Sequence, residues 1–117
     1  MEPKIKLLKF SAEWCGYCTG MDRARTVEKF LEKHQNIELI AHRTENEGDA
    51  AEVLMDEYDV RGLPAFIFED QEGNIVHQEE GATSLAGLEK MYLKATKCLE
   101  TGCYGANPRP KRERGGR

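Results

Sequence analysis

Apolar residues follow two rhythms along this chain. Residues 4–10, Lys-Ile-Lys-Leu-Leu-Lys-Phe, are a short and mostly apolar run, the mark of a central strand. Lys4 and Lys6 alternate with apolar residues there, and Lys9 breaks the alternation. Ser11-Ala12-Glu13 forms a loop. A helix is predicted over residues 18–34, where Met21, Ala24, Val27 and Leu31 recur at three- and four-residue steps. Asn36 is the expected end of that helical segment. Residues 37–42 alternate in part and predict a second strand. Asn46-Glu47-Gly48-Asp49 reads as a turn. Asp49 is the expected N-cap of the next helix, with Glu52 three residues on as in a capping box. Ala50, Val53, Leu54 and Tyr58 repeat at helical spacing until Asp59-Val60-Arg61-Gly62 breaks the pattern. Residues 65–68, Ala-Phe-Ile-Phe, are the most β-prone run. Pro64 precedes them, because proline cannot donate within a ladder and belongs at a strand start or edge. Glu72-Gly73-Asn74 turns this run back onto residues 75–78 as a hairpin. Ser84 is the expected N-cap of a last helix, with Leu85, Leu88, Tyr92, Ala95 and Leu99 on one face and Met91 beside them.

The predicted order is β-α-β-α-β-β-α, an α/β fold. The β-α-β part demands parallel strands joined by a crossover, and the hairpin adds antiparallel ones. A four-stranded mixed sheet with its first strand inside and helices on both faces follows. Residues 1–99 make one domain. Residues 100–117 form a tail in which Gly102 and Gly105 favour a helix stop. From about residue 107, two prolines, two glycines and five basic residues cannot build a core, so flexibility is expected there. No internal repeat is present.

Composition narrows the class. A chain of 117 residues with 32% charged and 39% apolar residues suits a soluble globular domain. No apolar run approaches the roughly 20 residues of a membrane span. Met1-Glu2-Pro3-Lys4 does not resemble a secretory leader, and the run at 5–10 is short and carries Lys6 and Lys9. A reducing cytoplasm is therefore the expected setting, and the chain is expected to be a monomer with no membrane partner. Net charge is −4, unevenly spread. Arg109, Lys111, Arg112, Arg114 and Arg117 crowd the tail, leaving the body acidic. The body repels nucleic acid; the tail either stays solvated or touches an acidic surface or nucleic acid. His34, His42 and His77 are scattered without metal spacing and are expected at surface or edge positions. No metal and no cofactor are expected.

The chemistry concentrates in Trp14-Cys15-Gly16-Tyr17-Cys18, at a strand–turn–helix junction. Cysteine attacks as a thiolate, and a free thiol with pKa about 8.5 is mostly protonated at neutral pH. The first turn of a helix offers unpaired N–H groups and partial positive charge, which favour an anion at Cys15. Cys18 lies one turn on, close enough to close a disulfide. A redox pair is the reading preferred for such a Cys-x-x-Cys. Two alternatives stay open: a structural disulfide, and a zinc site made with Cys98 and Cys103. Cys98 and Cys103 could also form their own disulfide, serve as a regulatory or relay pair, or remain idle thiols.

Four stretches make the chain resemble the thioredoxin family: Phe10 to Cys18, Val60-Arg61-Gly62-Leu63-Pro64, the turn at Gly73, and Gly81-Ala82. The likeness spans about residues 4–97. It implies a thiol–disulfide oxidoreductase acting on disulfide-containing protein substrates and re-reduced by a thioredoxin-reductase-type donor. Cys15 would be an exposed nucleophile and Cys18 the more buried resolving thiol. Pro64 would be cis and, with Leu63, would lie against the dithiol and help dock substrate. Trp14 would shield the dithiol and form part of the docking surface; otherwise it is a core aromatic. Isomerase or oxidase activity, and a non-catalytic module using the Trp14/Pro64 groove, are the rival functions.

Three departures from the family pattern stand out. Gly16-Tyr17 replaces the usual Gly-Pro, which frees the turn and restores an N–H. A potential less reducing than thioredoxin's approximately −270 mV is expected, within a class that reaches about −120 mV. Lys9 stands where thioredoxins place a buried acid. Such a lysine would tend toward neutrality if buried, would favour a Cys18 thiolate if charged, or would snorkel idly to solvent. Finally, the family's first strand and helix are missing, leaving a minimal core of the kind glutaredoxins share, but without a glutathione-binding signature.

Overall fold

The computed structural model of the protein describes residues 4–102. Strands β1 (Ile5–Ser11), β2 (Ile37–Arg43), β3 (Ala65–Glu69) and β4 (Ile75–Glu80) form one mixed sheet in the order β2-β1-β3-β4. β1 runs parallel to β2 and antiparallel to β3, and β3 is antiparallel to β4. The expected sheet, with β1 inside it, is present. Helices α1 (Gly16–Ala24), α2 (Thr26–Lys33), α3 (Thr44–Glu47), α4 (Asp49–Glu57) and α5 (Leu85–Thr101) complete the described chain.

The run at 5–10 lacks clean alternation because both faces of β1 are covered, as interior strands of such folds are. On one face Ile5 and Leu7 join Phe66 and Phe68 of β3 against Met21, Val27, Phe30 and α5. On the other, Leu8 and Phe10 join Ala65 and Ile67, with Leu54, Met55 and Tyr58 packed against them. Helices therefore cover both faces. α5 starts where Ser84 Oγ accepts from the Gly87 N–H at 3.1 Å and ends at Gly102, whose φ of 71° is left-handed. The hairpin turn is organised by Asp70, whose Oδ1 accepts from the N–H groups of Glu72 and Asn74, both at 2.9 Å.

Three local expectations change. The helix expected over 18–34 is two helices, broken at Arg25, which adopts φ 55° and donates its N–H to Asp22 O. The break resets the helical phase. Ala24, on the expected stripe, is exposed, while Phe30 beyond the break is fully buried. The helical segment also ends at Lys33, before Asn36. Second, α3 takes up the first half of the turn expected at 46–49, and the turn itself narrows to Gly48, whose φ of 57° precedes α4. Asp49 is thus the first helical residue and not the N-cap, and no side chain caps α4. Third, Ala51 is the buried residue of α4, and Val53 is exposed. Cys103 and the basic tail lie outside the described residues.

Candidate active site

The dithiol sits where β1 hands the chain to α1. A tight turn closes with Cys15 N–H donating to Ala12 O at 3.1 Å. Cys15 is the N-cap of α1, and its Sγ accepts from the Cys18 N–H at 3.1 Å. A sulfur here takes the role that a Ser or Asp oxygen plays at other helix starts, meeting one of the first turn's orphan donors. Both thiols are free.

The two sulfurs differ in depth by less than the family resemblance implied. Cys18 is 0% exposed, and Cys15 is 5% exposed rather than open to solvent. The cause is local: Sγ of Cys15 is turned inward onto the Cys18 N–H, and Ala12, Cys15 and Cys18 form a small apolar cluster with Leu63 packed on it. Burial, with the hydrogen bond from the Cys15 side chain next, pushes the Cys18 thiol up to about 11. The Ala12 backbone and the Lys9 ammonium act in the opposite sense.

Around this pair the surface is apolar and open. Trp14 and Tyr17 are 76% and 72% exposed, so Trp14 is not a core aromatic. Leu63 is half-buried against the dithiol, and Pro64 behind it is buried, with a cis Leu63–Pro64 bond. Pro64 O accepts from Gly81 N–H at 2.8 Å, fixing the two loops to each other. A Cβ placed on Gly16 would meet nothing within 4 Å, so sterics do not demand glycine there. An open groove of about 570 Å³ runs from Gly16 and Tyr17 past Met21 to Ala82 and Leu85.

Lys9 is buried, 9% exposed, on the same sheet face as Ile5 and Leu7. Its Nζ pairs with Asp22 Oδ1 at 3.0 Å, and the other Asp22 oxygen accepts from Arg43 Nη1 at 3.2 Å. Burial raises the Asp22 carboxyl, but the Lys9 hydrogen bond and charge, with those of Arg43, hold it below its ordinary value. Asp22 and Arg43 are the residues sequence reading missed. Asp22 does not belong to the apolar stripe of Met21, Ala24, Val27 and Leu31. Its position four residues after Cys18, hence on the same helix face, was the available signal.

The remaining candidates stand apart. Cys98 is buried in the core cluster under α5 and is disulfide-bonded; its suggested pairing with Cys103 falls outside the described residues. Cys15 and Cys18 belong to a different cluster. His42 on β2 and His77 on β4 are on the sheet's edge strands, as expected, and all three histidines are half-buried in pairs: His34 with Glu89 at 2.7 Å, His42 with Glu47 at 2.9 Å and His77 with Glu79 at 2.6 Å. Among the described residues, no group of three His, Cys, Asp or Glu side chains is placed to hold a metal ion.

No curated protein matches the chain. Solved structures do. The chain is similar to the Nicotiana alata thioredoxin NaTrxh at 26% identity and a TM-score of 0.64, covering 80% of this chain and 74% of that one. Fasciola hepatica thioredoxin matches at 24% identity and 0.62, covering 80% and 83%. Thioredoxin-2 of the malaria parasite matches at 20% identity and 0.65, covering 80% and 85%. The family model described as Thioredoxin matches residues 1–94, most of the chain, and the chain therefore belongs to the thioredoxin family.

Proposed function

We propose that the protein reduces disulfides in protein substrates, with Cys15 as nucleophile and Cys18 as resolving thiol. One observation carries this reading: Cys15 Sγ sits at a helix N-terminus and accepts the Cys18 N–H at 3.1 Å. An anion at that sulfur is met by an amide donor and the positive end of the helix. Cys15 attacks one sulfur of the substrate disulfide and expels the other as a thiolate. Cys18 then attacks Cys15 Sγ, closes the Cys15–Cys18 disulfide and releases the second substrate thiol. Two electrons pass to the substrate. The exposed Trp14 and Tyr17, with Leu63, offer the apolar surface on which a substrate segment docks.

Family members generally act on disulfide substrates and draw electrons from thioredoxin-reductase-type donors. A donor of that type, in the cytoplasm, is our proposal for this chain. A second reading, isomerase or oxidase, is favoured by Tyr17 in the place of the usual proline.

Insulin reduction with dithiothreitol tests the proposal. Wild type accelerates precipitation of the insulin B chain, and Cys15→Ser is inactive. Cys18→Ser keeps the first attack and traps substrates as mixed disulfides visible on non-reducing gels. Absence of both acceleration and trapped species would leave only a binding module.

A further inference from the structure

We infer that Lys9, anchored by Asp22, is a positioning residue for the resolving step: its buried ammonium stabilises the sulfur anion that forms at Cys18. This rests on the disulfide-exchange reading above and assigns the device that makes its second half fast.

The case starts from the cost of the arrangement. Lysine is almost never buried unless paired, yet here it is placed among Ile5, Leu7 and Phe66 of the core face. Its partner Asp22 lies one helical turn beyond Cys18, on the same side of α1. Arg43 from β2 holds the second Asp22 oxygen. Three elements thus fix one ammonium on the inner side of the active-site helix. Ion pairs of this kind add little to stability compared with apolar residues of similar size. Cys18 needs help of this sign. It is fully buried, and burial together with the Cys15 hydrogen bond disfavours its anion. The groups acting on it are few: Cys15 on its own helix, the Ala12 backbone in the preceding loop, and Lys9 on β1, with Leu63 adding only apolar contact. Lys9 is the positive charge among them.

The step balances without a further reactant. Cys18 gives its proton to solvent, and its sulfur anion attacks Cys15 Sγ of the mixed disulfide. The Cys15–substrate S–S bond breaks as the Cys15–Cys18 S–S bond forms. The substrate leaves as a thiolate and takes up a proton.

Stopped-flow reaction with the aromatic disulfide dithiobis(nitrobenzoate) separates the two halves. Attack by Cys15 releases one thionitrobenzoate; attack by Cys18 releases the second. Lys9→Gln removes the charge but can still donate to Asp22. We expect its second phase to slow severalfold at pH 7, with the pH profile of that phase moved to the alkaline side, as a less favoured thiolate requires. Lys9→Arg should recover most of the wild-type rate. A second phase in Lys9→Gln with the wild-type rate and pH profile overturns the inference. If Lys9→Gln fails to fold, Lys9→Met decides, since it fills similar buried volume without the charge. Its second phase should slow likewise, and a wild-type rate and pH profile overturn the inference. Loss of the first phase in wild type would instead remove the exchange reading itself.

Discussion

Tyr17 is where this chain departs most visibly from its family at the level of single residues. It is exposed in the first turn of α1, between the two sulfurs. Proline is well tolerated in a first helical turn, since the N–H it lacks has no partner inside the helix. Here that N–H remains beside the dithiol. Donors near the sulfurs favour the thiolate and hence the reduced pair, which raises the potential. We expect a potential above thioredoxin's approximately −270 mV, and a lower one in Tyr17→Pro. Equilibration with glutathione buffers measures both, and a wild-type value at or below thioredoxin's would refute the argument. The identities of Cys15, Cys18, Trp14 and Pro64 were readable from the order of residues, because a strand, a turn and a helix start are adjacent in sequence. Their depths were not. Cys15 is nearly as covered as Cys18 because its Sγ turns inward onto the Cys18 N–H and Leu63, 48 residues away in the chain, packs against the cluster they share.

At the level of elements, the hydrophobic rhythm located every strand of the described residues and the last helix, but it ran α1 and α2 together, carried them past Lys33, missed α3 and took the first residue of α4 for its cap. Periodicity records which face is apolar over a window; it passes over a single residue that changes the phase. Arg25 is such a residue. With φ 55° it ends α1 and sets the start of α2, which lets Met21 and Phe30 reach the same core. A β-branched residue strongly resists the left-handed region. Arg25→Val should therefore destabilise the fold by about 1 kcal/mol, lowering the denaturant midpoint with an unchanged slope. Arg25→Gly, free of that penalty, should be no less stable than wild type. A tolerant Arg25→Val would mean the break is not held by backbone geometry.

For the molecule as a whole, Asp22 matters beyond the active-site helix because it ties α1 to β1 and β2 through Lys9 and Arg43. Its carboxyl is held below its ordinary value in the folded state. A carboxylate depressed in this way adds stability at pH above its unfolded value and loses it as pH falls through its folded value. Thermal midpoints should therefore fall on acidification below about pH 4, and the fall should be shallower in Asp22→Asn. Equal slopes in the two proteins would show that the pair contributes nothing to folding. Glu79, likewise lowered by its His77 hydrogen bond, remains in both and supplies a common background. What the sequence by itself determined is whatever neighbouring residues decide: the strands, the hairpin, the helix start beneath Cys15 and the class of chemistry two such thiols perform. What only the tertiary structure decided is the surroundings of those thiols. Lys9 meets Asp22 from 13 positions away, and Asp22 meets Arg43 from 21. A charge's worth depends on the partners and burial it finds in space, and no local pattern of polar and apolar residues encodes which distant side chain that will be.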